Sequence, residues 1–180
     1  MEIISNENGW LRIKTDGFSV FKTFDCGQCF RFDEVGESLH EKEFSGVAFG
    51  RFVSFAQDGD KLYIYGSTVD EYEGLWKSFL DIERDYAEIE RDILLCRPSD
   101  ALSRAVEYGR GIRILKQDSF ECIISFIISQ NNNIPRIKGI IENMSEYCHM
   151  EQLSFVQQEK PSWADVNAYL NIMCNNEIIG

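Results

Sequence analysis

Hydrophobic and polar positions alternate along the first third of the chain. Trp10-Leu11-Arg12-Ile13-Lys14 and Phe18-Ser19-Val20-Phe21 repeat every two residues, the period of a strand with one buried face. Two further runs, Arg51 to Ala56 and Lys61 to Tyr65, flank Asp58-Gly59, and such a pair between apolar runs predicts a hairpin. From Thr68 onward the spacing turns helical. Thr68-x-x-Glu71 and Asp85-x-x-Glu88 have the form of capping boxes, in which two side chains satisfy each other's backbone amides at a helix start. Pro98-Ser99-Asp100 opens another helix with Ala101, Leu102, Ala105 and Val106 on one face, and Gly109 closes it. Asp118-Ser119-Phe120-Glu121 is a third capping box, with Glu121 reaching back to the Asp118 amide. Phe120, Cys122, Ile123, Ile124, Phe126, Ile127 and Ile128 then cover almost the whole circumference, which predicts a buried helix. That helix is far shorter than the roughly 20 residues needed to cross a bilayer. Pro135 marks the first turn of a last helix, with Ile137, Ile140, Ile141, Met144, Tyr147 and Cys148 on one face. Strands first and helices afterwards predict an α+β fold with segregated layers.

Between the last two helices lies Ser129-Gln130-Asn131-Asn132-Asn133-Ile134-Pro135-Arg136. An elbow needs one residue with special backbone angles, and a single Asn or Gly supplies it. Three amides exceed that need. Each carries two donors and an acceptor, a set that suits the edge of an unpaired base. The following helix start offers free N–H groups to a phosphate, and Arg136 adds a planar fork that reads a base or clamps a phosphate. A polar loop with an Asn cap and a solvated arginine fits the same residues.

Residues 109 to 138, GRGIRILKQDSFECIISFIISQNNNIPRIK, resemble the corresponding stretch of the 8-oxoguanine DNA glycosylases. A second segment, Asp25-Cys26-Gly27-Gln28-Cys29-Phe30-Arg31-Phe32, is similar to the GQ-FRW run of that family. The likeness extends from about residue 10 to 148. It implies an antiparallel amino-terminal sheet domain packed against the first helices of a helical glycosylase domain. It also implies a role in base-excision repair, with duplex DNA carrying 8-oxoguanine opposite cytosine as partner. Gly27 matches the glycine whose carbonyl accepts the N7–H of 8-oxoguanine, where guanine has a lone pair; a bare backbone permits that approach. Asn131 matches the asparagine that fills the gap left by the extruded base and contacts the estranged cytosine. Arg136 matches an arginine reading the same cytosine, and Asn132 and Asn133 shape the elbow and approach the backbone. Extruding the base costs a few kcal/mol, which these contacts help offset.

The chain departs mildly from the pattern at Cys29 and Phe32 and strongly beyond the elbow. In the family a lysine attacks the sugar C1′ from a helix-hairpin-helix segment, and an aspartate assists. Neither segment occurs here. The one lysine after Lys138 is Lys160, beside Pro161 and without a glycine hairpin, and Asp165 stands in an unrelated context. The expectation is a truncated portion of a glycosylase/AP lyase without catalytic residues. Its organisation is a mainly β domain over 1–97, the incomplete first helices of a helical domain over 98–150, and a tail over 151–180 without family resemblance. A separate polypeptide supplying the missing catalytic half would fit. The rival is a non-catalytic module that binds damaged DNA or another protein.

Thirty acidic residues against 18 basic give a net charge of −12. Phosphate neutralisation by Lys and Arg supplies most non-specific DNA affinity, so weak binding by this chain alone is expected. The six cysteines are scattered and Met1-Glu2-Ile3-Ile4-Ser5-Asn6-Glu7 has no apolar leader. An intracellular protein with reduced thiols follows, cytoplasmic and nucleoid-associated in a bacterium. Cys26-Gly27-Gln28-Cys29 has CxxC spacing, but no second ligand pair accompanies it. No metal and no cofactor are expected.

Overall fold

The computed structural model describes residues 2–7, 9–96 and 98–147. The tail over 151–180, with Lys160 and Asp165, lies outside the described residues. Among the described residues six strands form one sheet: β1 (Glu2–Glu7), β2 (Trp10–Lys14), β3 (Phe32–Glu34), β4 (Lys42–Ala48), β5 (Arg51–Asp58) and β6 (Lys61–Tyr65), in the order β1-β2-β6-β5-β4-β3. The pairs β1–β2, β2–β6, β3–β4 and β5–β6 are antiparallel. The fold is α+β with an antiparallel sheet. Alternation sets its buried face: Leu11 and Ile13 of β2 and Leu62 and Ile64 of β6 are fully buried, while their sequence neighbours are partly exposed. Asp58 pairs with Lys61, so Gly59-Asp60 makes the hairpin turn, with Gly59 at φ +57°. The alternating pattern did not reveal β4, whose buried positions are Phe44 and Ala48.

Phe18–Phe21 is not a strand. The Ser19 hydroxyl caps a helix start by accepting the Lys22 amide (3.2 Å), and α1 runs Val20–Asp25. Val20 and Phe24, one turn apart, are buried, whereas Phe21 is exposed. Four residues of alternation fit one helical turn as well as a strand, and the serine cap decided between them. Cys26–Gln28 forms a bend after α1.

Beyond the sheet, Thr68 and Glu71 complete the expected capping box at α2 (Val69–Glu71). A π-type turn over Tyr72–Trp76 leads into α3 (Lys77–Phe79). Then come α4 (Tyr86–Cys96), α5 (Asp100–Gly109, capped by Ser99), α6 (Ser119–Ser129) and α7 (Ile134–Tyr147). The chain divides into two compact units. The first comprises Met1–Gln28, Phe32–Gly46 and Phe52–Lys116; the second comprises Cys29–Arg31, Val47–Arg51 and the chain from Gln117.

Aromatic rings fill the first core. Phe24 lies 4.7 Å from Phe32, 5.7 Å from Phe44 and 5.3 Å from Phe55, and Trp76 meets Phe55 and Phe79 edge-on. Such offset and edge-on pairs add about 0.5–1.5 kcal/mol each beyond the area they bury. In the second unit, Phe120, Ile124 and Ile128 of α6 meet Ile137, Ile140, Ile141 and Met144 of α7, with Phe30 packed against them. The near-complete burial expected of α6 is not observed. Positions four apart bury one stripe, while Ile123 is 56% exposed and Phe126 68%. Among the described residues α6 packs chiefly against α7, and a helix packed on one side hides one face only.

Candidate functional site

In the first unit, α1 delivers its last turn to Cys26-Gly27-Gln28. Gly27 has φ +79°, a backbone region closed to most side chains. The Gln28 carboxamide crosses from this bend to the extended segment 112–116. Its Nε2 donates to the carbonyls of Thr23 and Arg113, each at 2.8 Å, and its Oε1 accepts the Leu115 amide at 2.9 Å. The same Nε2 lies 3.3 Å from Cys26 Sγ. The Thr23 hydroxyl accepts the Arg113 amide at 3.2 Å. The glycine-bearing bend and the IRIL segment, far apart in sequence, are therefore one hydrogen-bonded assembly.

Segment 112–116 has further ties. The buried Arg113 guanidinium donates to the carbonyls of Asp16, Gly17 and Arg84 and lies over the Tyr86 ring at 4.2 Å. The Tyr86 hydroxyl accepts the Ile114 amide (2.8 Å) and donates to Asp81 (2.9 Å). Asp81 is buried and ion-paired with Lys116 at 2.8 Å and Arg84 at 2.9 Å. Burial pushes its carboxyl up, but the bonds from Lys116 and Tyr86 and the Lys116 and Arg84 charges outweigh this and hold it below its usual range. Sequence reasoning passed over Gln28, Arg113 and Asp81 as site-forming residues, although the first two lie inside the two segments it singled out.

In the second unit, Asp118 caps α6 as expected, its Oδ1 accepting the Phe120 and Glu121 amides at 3.0 Å, but Glu121 does not return a bond to the Asp118 amide, so the expected box is only half formed. Glu121 is buried, and burial, with Asp118 adding to it and Arg31 opposing, pushes its carboxyl up to about 7. At the elbow the three asparagines divide the work. Asn131 takes the left-handed conformation, φ +55°, and its side chain is exposed. The Asn132 amide donates to the Ile128 carbonyl at the end of α6 (3.0 Å). The Asn133 side chain accepts the Arg136 amide (3.0 Å) at the start of α7, which makes it the N-cap. Arg136 is exposed one turn into that helix.

Asn131, Asn132, Asn133 and Arg136 are thus brought together in the second unit, and Gly27 belongs to the first. Cys26 is exposed, its Sγ within hydrogen-bond distance of the Thr23 carbonyl at 3.3 Å, and Cys29 is buried. Among the described residues no group of three or more His, Cys, Asp or Glu is arranged to hold a metal ion, and no helix is long and apolar enough to cross a membrane.

Residues 10–123 match the family described as 8-oxoguanine DNA glycosylase, N-terminal domain. The chain is 31% identical over 128 residues to the N-glycosylase/DNA lyase OGG1 of Arabidopsis thaliana, covering 68% of this chain and 33% of that protein. It also resembles the apo-form of the Clostridium acetobutylicum 8-oxoguanine glycosylase/lyase, at 35% identity and TM-score 0.73, over 81% of this chain and 49% of that one. The same enzyme bound to double-stranded DNA with cytosine opposite 8-oxoG matches at 37% identity and TM-score 0.72, over 81% and 48%. The chain therefore spans about a third of the plant protein and about half of the solved bacterial one.

Proposed function

Because the chain belongs to the 8-oxoguanine DNA glycosylase family, we propose that it recognises oxidised guanine opposite cytosine in duplex DNA and performs no base excision by itself. The observation that carries this reading is the exposed, left-handed Asn131 on an elbow closed by its two neighbours. Asn132 and Asn133 spend their side chains on the two helix ends, so the bland explanation of the asparagine run accounts for both. Asn131 supplies only a backbone angle to the elbow, and its amide is left for the space vacated by an extruded base. Arg136 reads the widowed cytosine, where a good bidentate contact discriminates by about 1–3 kcal/mol. In the first unit the Gly27 carbonyl accepts the N7–H that 8-oxoguanine has and guanine lacks.

Residues 1–97 act in this reading as the sheet domain, and 98–150 as the first helices of the helical one. The sequence supports the lack of base excision in this reading: Lys160 is the one lysine after Lys138 and precedes a proline instead of standing in a glycine hairpin. With a net charge of −12, DNA affinity is low and falls further with salt.

Borohydride trapping on an 8-oxoguanine duplex, combined with titration of two variants, tests the proposal. Asn131→Gly removes the amide while keeping the positive φ accessible, and Arg136→Ala removes the fork. Each should lower affinity for the lesion duplex about tenfold, with no covalent adduct from any form of the chain. A trapped adduct, or unchanged affinity in both variants, contradicts it.

A further inference from the structure

We propose that Gln28 is a positioning residue for lesion discrimination: its carboxamide fixes the peptide plane that carries the Gly27 carbonyl. The inference rests on the role of Gly27 proposed above and extends it to the residue that makes that role possible. The Gly27 carbonyl carbon and oxygen share one rigid plane with the Gln28 nitrogen and Cα. A glycine at φ +79° has wide conformational freedom of its own, so the direction of its carbonyl must be set from the next residue. Gln28 is held there by both kinds of group in its side chain. Its amide nitrogen donates to the Thr23 and Arg113 carbonyls at 2.8 Å, and its oxygen accepts the Leu115 amide at 2.9 Å.

These partners are themselves fixed. Thr23 sits within α1 and binds the Arg113 amide, and the Arg113 side chain is bonded to three carbonyls and covered by Tyr86. Geometry of this quality leaves little play in the Gln28 Cα. Discrimination by one carbonyl is a matter of tenths of an ångström, because the same oxygen must meet N7–H in one base and repel a lone pair in the other. A loosened plane would lose that difference while leaving contacts to phosphate and cytosine intact.

The test compares affinities of the full chain for 8-oxoguanine:C and guanine:C duplexes in Gln28→Ala and Gln28→Glu. Glutamate keeps the size and the acceptor for Leu115 but turns an oxygen toward the Thr23 and Arg113 carbonyls. In both variants the lesion preference should fall about tenfold, toward equality, with guanine:C affinity unchanged. A preference retained in a folded variant overturns the inference and leaves the reading of Gly27 standing. A parallel fall on both duplexes, or loss of the fold in both variants, assigns Gln28 to stability alone and overturns it too. A wild-type chain without lesion preference removes the premise itself.

Discussion

Asparagine is chosen three times at the elbow for three separate reasons. Asn131 tolerates φ +55° because a short polar side chain visits the left-handed region at low cost. Asn132 satisfies an orphan carbonyl at one helix end, and Asn133 satisfies an orphan amide at the next. Their losses should therefore differ in kind. Asn133→Ala should cost about 1 kcal/mol of stability as a lost N-cap, seen as a lower midpoint in a urea titration, whereas Asn131→Gly should leave the midpoint within error. Glu121 gives a second prediction, in pH. Its carboxyl holds a proton to about 7 when folded, against 4.5 ordinarily. Between those values the folded state binds more protons than the unfolded one, so stability falls as pH rises through the window. The contribution is complete below pH 4.5, gone above about 7, and amounts to at most about 3 kcal/mol. Glu121→Gln should flatten the melting temperature between pH 5 and 8, and parallel profiles for the two proteins would refute the assignment.

The extended segment 112–116 shows what a regular pattern cannot reveal. Among the described residues it joins no strand ladder, and apart from the Lys116 amide bond to the Phe79 carbonyl (2.8 Å) it is held by side chains from elsewhere: Gln28, Thr23, Tyr86 and Asp81. Arg113 serves three carbonyls with one planar fork, which a lysine cannot reproduce. Arg113→Lys should destabilise the chain by about 2 kcal/mol, and the Ile114 and Leu115 amides should exchange faster than in the parent. Elements with a strong local cause were legible in the sequence. The strands β2 and β6 alternate cleanly, the capping box at Thr68 and the helix start at Ser99 lie where they belong, and the NNN elbow falls between the helices it predicted. The helix α1 was misread because Phe18–Phe21 carries too few residues to separate two periods. The burial of α6 was overestimated because apolar residues on every face do not say how many neighbours arrive. Gln28 escaped because two of its partners, Arg113 and Leu115, lie 85 and 87 residues away.

Taken as a whole, the molecule is acidic, yet its helices keep apolar side chains at the surface. Ile123, Phe126, Ile127 and Ile134 are exposed in the second unit, and Ile89, Ile93, Leu95 and Tyr108 in the first. Contiguous exposed apolar surface of several hundred Å² favours association. Light scattering should therefore show concentration-dependent self-association, stronger at high salt, where repulsion between net charges of −12 is screened; a strictly monomeric chain at all salts would contradict this. The same charge sets the conditions for observing DNA recognition, which calls for low ionic strength. The central claim is that this chain distinguishes an oxidised guanine from a normal one without cutting it. Fluorescence anisotropy at about 50 mM salt, with matched duplexes bearing 8-oxoguanine or guanine opposite cytosine, measures that directly. The account predicts about tenfold tighter binding to the oxidised duplex, with both strands intact afterwards. Equal affinity for the two duplexes would contradict it.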